Sequence, residues 1–414
     1  MNNDRRRVVV TGIGLLSPCG LTVDESWQNI SNGVSGIGPI TAFDASEYDS
    51  RIAGEVTNFD PLNYMDKKEA RRTDRSVQLA IAASVEAMKD IDTSSIDTDR
   101  FGVIIGSGIG GIKTFEDQHT VLMKRGPGKI SPFFIPMMIS DMAAGQISIR
   151  YGLRGPNFGT VSACASGGHA ISDSYMYIKN GYADMILTGG TEATICPMAV
   201  GGFCSMKALS VRNDEPEKAS RPFDRDRDGF VIAEGSGLIV LEELEHAKAR
   251  GANILAEIKG IGLTGDAYHI TSPVPGGVGA ANAMRMALED AGLTPAEIDY
   301  INAHGTSTHY NDKTESEAIL SVFGESMDGT KVSSTKSTTG HLLGAAAALE
   351  FIVCVKALQE NTMPPTINLE NPDPECNINH VALKPEKKEL RNVMSNSFGF
   401  GGHNVSIILG KLED

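Results

Sequence analysis

One short pattern occurs twice in the chain and constrains its fold more than any other feature. Residues 9–14 read VVTGIG and residues 257–262 read EIKGIG. Residues 237–241 (GLIVL) and 404–409 (NVSIIL) form a second matching pair, each at the end of its half. Both halves therefore begin with a strand ending in Gly-Ile-Gly and close with an apolar strand. This pattern predicts two diverged copies of one α/β unit.

The first glycine pair could also belong to a dinucleotide-binding loop. That motif requires a third glycine or alanine, which residues 12–17 (GIGLLS) lack. We therefore interpret these glycines as packing or turn positions. Further glycine-punctuated apolar runs at 101–108 and 184–190 read as buried strands. Such strands alternating with helices are typical of a layered α/β architecture.

Composition limits the class of partner. The chain has 414 residues and a formal net charge of −15, which argues against nucleic acid as the main partner. No apolar run approaches the length of a membrane span, so we expect a cytoplasmic protein without membrane insertion. The six cysteines show no CxxC pair. In a chain of this size they predict reduced thiols rather than a disulfide framework.

The segment around Cys164 is the strongest candidate for a nucleophile. It reads VSACASGGHA over residues 161–170, with small residues on both sides of the cysteine. A helix is predicted from Cys164 to about Lys179, which places the thiol at a helix N-terminus. There the helix dipole favours a thiolate and lowers the thiol pKa. The alternative is an inert structural cysteine in a tightly packed helix.

Three polar clusters in the second half lie at predicted strand ends. His304 follows one strand, and Lys336 and His341 surround a turn after another. A helix predicted over residues 342–358 carries one acid, Glu350, and residues 396–404 (NSFGFGGHN) read as a glycine loop. A cysteine, two histidines and accessible backbone N–H groups could together serve thiolate chemistry on an acyl group. Purely structural histidines are the alternative, and no metal-ligand spacing joins them.

Taken in order, these motifs resemble those of the β-ketoacyl-[acyl-carrier-protein] synthases. The resemblance rests on the ACA segment at 163–165, HGTST at 304–308, SSTKS followed by GH at 333–341, and NSFGFGG at 396–402. It covers essentially the whole chain and is greatest to the type II elongating members. It implies a thiolase-like fold with a duplicated five-layer αβαβα architecture. Residues 1–253 would form the half with the nucleophile, and residues 254–414 the half with both histidines.

The resemblance implies an acyltransferase of fatty acid elongation. Cys164 would take an acyl chain from acyl carrier protein. Malonyl-carrier protein would then lose CO₂ and attack the thioester, giving a 3-oxoacyl product two carbons longer. A polyketide-type elongating ketosynthase is the alternative with the same active site. A thiolase or an initiating synthase fits less well, because His341 occupies a position typical of the Cys-His-His class.

Family roles carry over to matching positions. His304 and His341 would assist decarboxylation as neutral imidazoles, with Lys336 and Glu350 as the charges that position His341 and the surroundings of the second histidine. The remaining assignments comprise the oxyanion-hole amides of Cys164 and Phe400, the acyl pocket, and a mobile gate region. The pocket residues are Ile109, Phe203 and Phe400, and the gate residues are Asp266, Gly399, Gly401 and Gly402.

Partners and ions also follow from the resemblance. It implies a homodimer, with no required cofactor, and a structural K⁺ or Na⁺ near Asn302, Glu350 and Asn396. A carrier-protein dock is predicted at the basic residues Lys67, Lys68, Arg71, Arg72 and Lys207, with Arg212 nearby. Two positions depart from the family pattern, His309 where proline is common and His403 where threonine is common.

Overall fold

The computed structural model describes residues 6–413, so residues 1–5 and 414 of the two predicted halves lie outside it. Its centre is a mixed sheet of ten strands in the order β10-β9-β13-β14-β8-β1-β7-β6-β4-β5. Two pairs of two-residue strands lie outside this sheet. The strands are β1 Val8–Leu16, β2 Gly38–Pro39, β3 Ile52–Ala53, β4 Phe101–Gly106, β5 Asn157–Thr160, β6 Met185–Glu192, β7 Gly235–Glu243, β8 Ala256–Gly265, β9 Tyr300–Asn302, β10 Lys331–Ser333, β11 Thr362–Met363, β12 Glu386–Lys387, β13 Asn392–Gly399 and β14 His403–Gly410.

The sheet contains the same five-stranded unit twice. In the first half β1 pairs antiparallel with β7, β7 antiparallel with β6, and β4 lies parallel between β6 and β5. In the second half β8, β14, β13, β9 and β10 repeat this order and these directions. A short antiparallel pairing of β1 with β8 joins the two units. The predicted duplication is confirmed.

The helices form three layers around these two units. They are α1 Val23–Ser31, α2 Lys67–Ala70, α3 Arg75–Ala87, α4 Ile112–Arg125, α5 Phe134–Met138, α6 Met142–Tyr151, α7 Ser166–Lys179, α8 Pro197–Ser205, α9 Leu244–Ala249, α10 Val278–Ala291, α11 His309–Phe323, α12 Lys336–Thr339 and α13 Ala346–Glu360. Helices α3 and α6 cover the outer face of the first unit, and α10 with α11 covers the second. Helices α7 and α13 lie between the units. These layers confirm the five-layer αβαβα architecture.

The repeated Gly-Ile-Gly pattern has a packing origin. A Cβ atom at Gly14 would lie 2.0 Å from the backbone oxygen of Ala83 in α3. A Cβ atom at Gly262 would lie 1.9 Å from the backbone oxygen of Ala283 in α10. Each strand therefore needs glycine because a helix backbone lies directly against it. The interpretation of these glycines as packing positions is confirmed.

Three predicted elements have different boundaries in the structure. The helix expected from Cys164 begins at Ser166 after a 3₁₀ turn, Ala163–Ala165. The helix expected at 342–358 runs from Ala346 to Glu360 after a matching turn, Leu343–Ala345. The loop expected at 396–404 is wrong for most of its length, because β13 and β14 continue into it and leave a turn at 400–402. Among the described residues no helix is long and apolar enough to cross a membrane.

Candidate active site

Cys164 lies in a sharp turn between β5 and α7. The preceding residue, Ala163, has a φ of +51°, a conformation that L residues rarely adopt. The Ser166 hydroxyl closes the turn by donating to the Ala163 carbonyl oxygen at 2.7 Å and accepting from the Ser162 N–H at 2.9 Å. Backbone strain held by surrounding structure is typical of functional sites. We call residues 163–165 the first elbow.

The Cys164 thiol is neutral at rest. Burial raises its pKa to about 11, although the charge of Lys336 and the N–H groups of Phe400 and Cys164 itself act in the opposite direction. The negative charge of Glu192 adds to the increase. The lowered thiol pKa predicted from the helix N-terminus is therefore wrong, because desolvation outweighs the helix dipole here. The two N–H groups nevertheless face the sulfur from adjacent segments.

His304 and His341 converge from different elements. His304 lies two residues after the end of β9. His341 is fixed by a bridge to Ile232, and its N–H donates to the Val231 carbonyl at 2.7 Å. Their ring centroids are 5.3 Å apart. Burial, followed by the charge of Lys336, holds the pKa of each histidine well below its usual value. Both rings are therefore neutral near pH 7.

Hydrogen bonds set the tautomer of each ring. The Lys336 ammonium lies 3.4 Å from Nδ1 of His304, and the Leu343 N–H lies 3.3 Å from Nδ1 of His341. Both groups can only donate, so each Nδ1 accepts and each neutral ring carries its proton on Nε2. The site thus holds two Nε2–H donors on neutral imidazoles.

Lys336 and Glu350 form a fully buried ion pair behind the histidines. The ammonium donates to Glu350 Oε1 and to the His304 carbonyl oxygen, the latter at 2.7 Å. Burial raises the pKa of the Glu350 carboxyl, and Lys336 opposes this increase. The hydrogen bonds of Lys336 go to His304, the second histidine of the expected arrangement, and Lys336 acts on His341 through its charge. The positioning of His341 by this pair stays a prediction.

One cavity of about 550 Å³ connects these groups. Cys164, His304 and His341 line it together with most residues assigned to the pocket, the gate and one dock position, namely Ile109, Phe203, Phe400, Asp266, Gly399, Gly402 and Lys207. Lys336, Glu350 and Gly401 are outside the lining. The cavity mouth includes His309, Tyr310 and Asn311 at the start of α11. A nucleophile and two hydrogen-bond donors thus face one enclosed space.

The turn that carries Phe400 lies directly on the first elbow. A Cβ atom at Gly399 would lie 2.6 Å from the Ser162 carbonyl oxygen. Gly401 and Gly402 have φ values of +88° and +75°. The Asp266 carboxylate accepts from Asn404 Nδ2 at 2.7 Å and from the Val274 N–H at 3.1 Å. The structure therefore places Asp266 against this turn, as the sequence predicted.

Comparison with known proteins agrees with this geometry. The family model for the N-terminal domain of β-ketoacyl synthases matches residues 5–247. The model for the C-terminal domain matches residues 255–370. The chain belongs to the β-ketoacyl synthase family. The family resemblance seen in the sequence and the thiolase-like fold class are both confirmed.

Named relatives of this β-ketoacyl synthase are similar over their full lengths. A 3-oxoacyl-[acyl-carrier-protein] synthase 2 from Synechocystis sp. is 51% identical over 414 residues, covering 100% of both chains. One from Staphylococcus aureus (strain COL) is 50% identical, covering 99% of this chain and 100% of the relative. A solved structure of AntDE:AntF, a type II PKS acyl-carrier protein in complex with its ketosynthase bound to the hexaketide, has a TM-score of 0.92 at 35% identity. That match covers 99% of this chain and 100% of the other.

Sequence reasoning missed two buried carboxylates of the synthase. Glu192, at the end of β6, accepts from the N–H groups of Gly108 and Gly344 at 2.7 and 3.0 Å. Glu315, in α11, accepts from the N–H groups of His304 and Gly305 at 2.8 and 2.7 Å. Burial raises the pKa of both carboxyls to about 7. A lone acid in an apolar strand, TGGTE at 188–192, was the available signal for Glu192.

The predicted dock residues are exposed, but some of their charged groups already contact a neighbouring side chain. The Arg72 guanidinium lies 4.2 Å from the ring centre of Phe133. Lys207 forms an ion pair with Asp49 at 2.7 Å, and Arg212 lies 3.9 Å from Asp228. Within residues 6–413, the four basic residues of the first cluster form no ion pair, namely Lys67, Lys68, Arg71 and Arg72. Their charge is available to a partner.

The two departures from the family pattern lie at the edges of the cavity. His309 is exposed at the cavity mouth, and its carbonyl oxygen accepts from Arg227 at 3.1 Å. His403 is exposed at the start of β14, with its ring centroid 6.3 Å from that of His169. Neither histidine contacts the Cys164 sulfur or either of the two buried histidine rings through a hydrogen bond in the described part of the chain.

Proposed function

We propose that this β-ketoacyl synthase catalyses the elongating condensation of fatty acid synthesis, as a 3-oxoacyl-[acyl-carrier-protein] synthase of type 2. One observation carries the proposal: Cys164, His304 and His341 face a single cavity, with both imidazoles neutral and protonated on Nε2. Named relatives about half identical over their whole lengths, 51% and 50%, support the same activity.

The first step is acyl transfer. Cys164 attacks the thioester of acyl-carrier protein, the carrier thiol leaves with the proton of the cysteine, and the acyl chain remains on Cys164. The N–H groups of Cys164 and Phe400 face the sulfur, so they are placed to stabilise the negative oxygen that develops.

The second step is decarboxylation of malonyl-carrier protein. Loss of CO₂ leaves an enolate, whose negative charge develops on the thioester oxygen. Two Nε2–H donors suit this oxygen, because their hydrogen bonds strengthen as its charge grows. Lys336 keeps Nδ1 of His304 as an acceptor, and Glu350 balances the buried ammonium. The enolate carbon then attacks the acyl thioester, the Cys164 sulfur leaves and regains a proton, and the 3-oxoacyl product remains on the carrier.

The acyl chain would occupy the apolar end of the cavity, between Ile109 and Phe203. Phe400 stands between glycines on a turn that contacts the first elbow, so rotation of its ring would admit the chain. Asp266 and the turn glycines Gly399, Gly401 and Gly402 would move with it.

The polyketide-type alternative is less favoured. A ketosynthase of a type II PKS shares the fold at 35% identity. The relatives named 3-oxoacyl-[acyl-carrier-protein] synthase 2 share about half of all residues, 51% in one case. Fatty acid elongation is therefore the stronger inference for this chain.

We propose acyl carrier protein as the partner and α2 with its C-terminal flank as its dock. Charge reversal at Lys68 and Arg72 should raise KM for carrier-linked substrates and leave the rate at saturation unchanged. A matched control is charge reversal at Lys384 and Lys387, which are also exposed and change the net charge equally. A KM that rises equally in both variants would contradict a local dock.

We propose that the synthase is a homodimer. Strand β5 is the last strand of the sheet, and an unpaired edge is available to a second copy. Exposed apolar side chains lie beside it, including Val161 at 62% and Tyr182 at 69% exposure. Sedimentation at equilibrium would give twice the chain mass. A cytoplasmic location stays a prediction from composition.

An alkali ion also fits the residues predicted for it. Asn302 Oδ1 and Glu350 Oε2 are buried and have no hydrogen-bond partner among the described atoms. Asn396 lies on the neighbouring strand, and its Oδ1 accepts from Ser406 at 2.8 Å. Oxygen donors of this kind suit a hard cation. We propose that K⁺ or Na⁺ bound here would coordinate the unpartnered oxygens of Asn302 and Glu350, and no step of the reaction depends on it.

The deciding experiment measures the intact mass of the protein after incubation with a panel of acyl-carrier proteins. Wild-type protein should gain the acyl mass, and Cys164→Ala should not. Malonyl-carrier protein added next should release a 3-oxoacyl product two carbons longer. An adduct from acyl-coenzyme A but from no carrier-linked chain would contradict the proposal and favour an initiating synthase or thiolase.

A further inference from the structure

The Glu192 carboxylate joins three segments of the chain through hydrogen bonds. It ends β6 and is completely buried. Oε2 accepts from the Gly108 N–H at 2.7 Å and the Gly344 N–H at 3.0 Å. Oε1 accepts from the Ser107 hydroxyl at 3.1 Å and the Ile109 N–H at 3.2 Å. The carboxylate therefore connects the loop after β4 to the turn before α13.

Two glycines are required by this contact. A Cβ atom at Gly108 would lie 2.8 Å from Glu192 Oε2, and one at Gly344 would lie 2.6 Å from the same oxygen. The Gly344 Cβ would also lie 2.3 Å from the Gly108 nitrogen. Only glycine at both positions lets the two backbones approach the carboxylate together. In the described part of the chain Glu192 forms no ion pair, so these four donors are the groups that favour its ionised form against burial.

The connected loop is the wall of the acyl pocket. Gly108 and Ile109 line the cavity that contains Cys164, and Leu343, beside Gly344, lines it from the other side. Ile109 also borders a second cavity of about 360 Å³, lined mostly by apolar residues of α4, the end of α5 and the segment that follows it. Ile109 therefore borders both spaces, and a shift of its backbone would change the passage between them.

We propose that Glu192 is a positioning residue that holds Ile109 in place and thereby sets the acyl chain-length preference of the synthase. It acts through the backbone of residues 107–109, not by contact with the substrate. The inference rests on the proposed elongation activity. With Glu192 in place the wall at Ile109 is rigid and discriminates between chains that end before it and chains that must pass it.

Glu192→Gln tests this inference without changing side-chain size. Its amide nitrogen would face at least one of the three backbone N–H groups, so a donor meets a donor and the loop must move. We expect the ratio of Cys164 acylation rates between the preferred chain and the next longer chains to fall about tenfold, as loss of one charge-assisted hydrogen bond allows. The rates are read by intact mass over a ladder of saturated carrier-linked chains.

Two further variants keep the test decisive. Ser107→Ala removes one donor to Glu192 and one acceptor for the Gly110 N–H, so it should lower the same ratio by a smaller factor. If Glu192→Gln does not fold, the Ser107→Ala ratio decides. Glu315→Gln is the matched control, because Glu315 is an equally buried carboxylate that holds the His304 loop instead. It should slow decarboxylation and leave the chain-length ratio unchanged.

The outcomes separate the inference from the proposed function. A lowered ratio in the Glu192 and Ser107 variants, but not in Glu315→Gln, supports the inference. An unchanged ratio, or an equal fall in all three variants, overturns it in favour of a general structural role. Absence of any acyl adduct on the wild-type protein, from every carrier-linked chain, would instead overturn the proposed function.

Discussion

The two halves of the chain contain the same turn before their central helix, and only one of them presents a nucleophile. Ala163 and Leu343 open the two turns with φ values of +51° and +49°. Each turn is a 3₁₀ turn followed by a long helix, α7 or α13. The middle residue is Cys164 in the first half and Gly344 in the second. We call residues 343–345 the second elbow.

The difference between the elbows shows how a duplicated backbone divides its tasks. Cys164 projects into the cavity, whereas a Cβ atom at Gly344 would lie 2.3 Å from the Gly108 nitrogen. The second elbow therefore has no room for a side chain and supports the acyl wall through its N–H bond to Glu192. The second half contributes its chemistry elsewhere, from His304 and His341. Each half alone thus lacks one part of the reaction.

The largest effect is expected from breaking the buried Lys336–Glu350 ion pair of the second half, which leaves the first elbow unchanged. Lys336→Met leaves Glu350 as an unpaired buried charge and removes the donor to His304 Nδ1. Stability should fall by about 3–5 kcal/mol, the usual effect of breaking a buried pair. Decarboxylation of malonyl-carrier protein should fall by about 10²-fold or more, and Cys164 acylation by less than about tenfold.

Adding Glu350→Leu to Lys336→Met separates stability from chemistry. The apolar pair should recover most of the lost free energy of unfolding in urea, because no charge is left buried without a partner. Decarboxylation should remain low, since the Nδ1 donor is still absent. Recovery of decarboxylation together with stability would show that Lys336 acts only through folding.

The next test acts on the contact between the halves at the first elbow. Gly399→Ala would place a Cβ atom 2.6 Å from the Ser162 carbonyl oxygen and 3.2 Å from the Cys164 nitrogen. The Phe400 turn must then move away from the sulfur, so acylation should fall by about 10²-fold. Gly265→Ala is the control, because its nearest atom is 3.8 Å away. Equal rates in the two variants, measured by intact mass, would refute a role for this contact.

Much of this division of tasks between the two halves could be predicted from the sequence, because the signals for it are local. The Gly-Ile-Gly repeat results from a close helix contact at Gly14 and Gly262. The duplication could therefore be predicted from the sequence alone. Cys164, His304 and His341 lie in glycine-rich or polar turns after apolar strands, which separates them from the core. The ordered motifs then made their family resemblance specific.

What could not be predicted depends on burial and on long-range contacts. The pKa of Cys164 follows from desolvation by the surrounding fold, which reverses the effect of a helix N-terminus. The contact of Lys336 with His304 rather than His341 depends on how α12 lies behind β9. Glu192 binds the Gly108 N–H, 84 residues away in the chain, and Glu315 binds the His304 N–H, 11 residues away. No local sequence pattern therefore indicates which groups these carboxylates bind.

The protonation state of the Cys164 thiol, in the first elbow, gives a pH-dependent test. With a pKa of about 11, Cys164 is a neutral thiol at pH 7. The thiolate is the reactive form, and its fraction grows about tenfold for each pH unit below the pKa. The rate of iodoacetamide labelling at Cys164 should therefore rise without a plateau from pH 7 to about pH 9. Labelling of Cys164→Ala gives the background from other cysteines, and a plateau below pH 8 would contradict the neutral thiol.

The smallest effect is expected where the first strand of each half ends. Ser17 follows β1 and is bonded locally, accepting from the Cys19 N–H at 3.1 Å. Asp266 follows β8 and instead reaches Asn404 beside the Phe400 turn, at 2.7 Å. Asp266→Ala should lower the acylation rate by about three- to tenfold, because the turn loses a side-chain anchor. The backbone bonds from the Asp266 N–H to the Gly402 carbonyl and from the Gly401 N–H to the Ile270 carbonyl remain. Ser17→Ala should lower thermal stability slightly and leave the acylation rate unchanged. If both variants acylate at the wild-type rate, the end of β8 has no more influence on the gate than the end of β1, and the functional difference between the halves is confined to the elbows and the histidines.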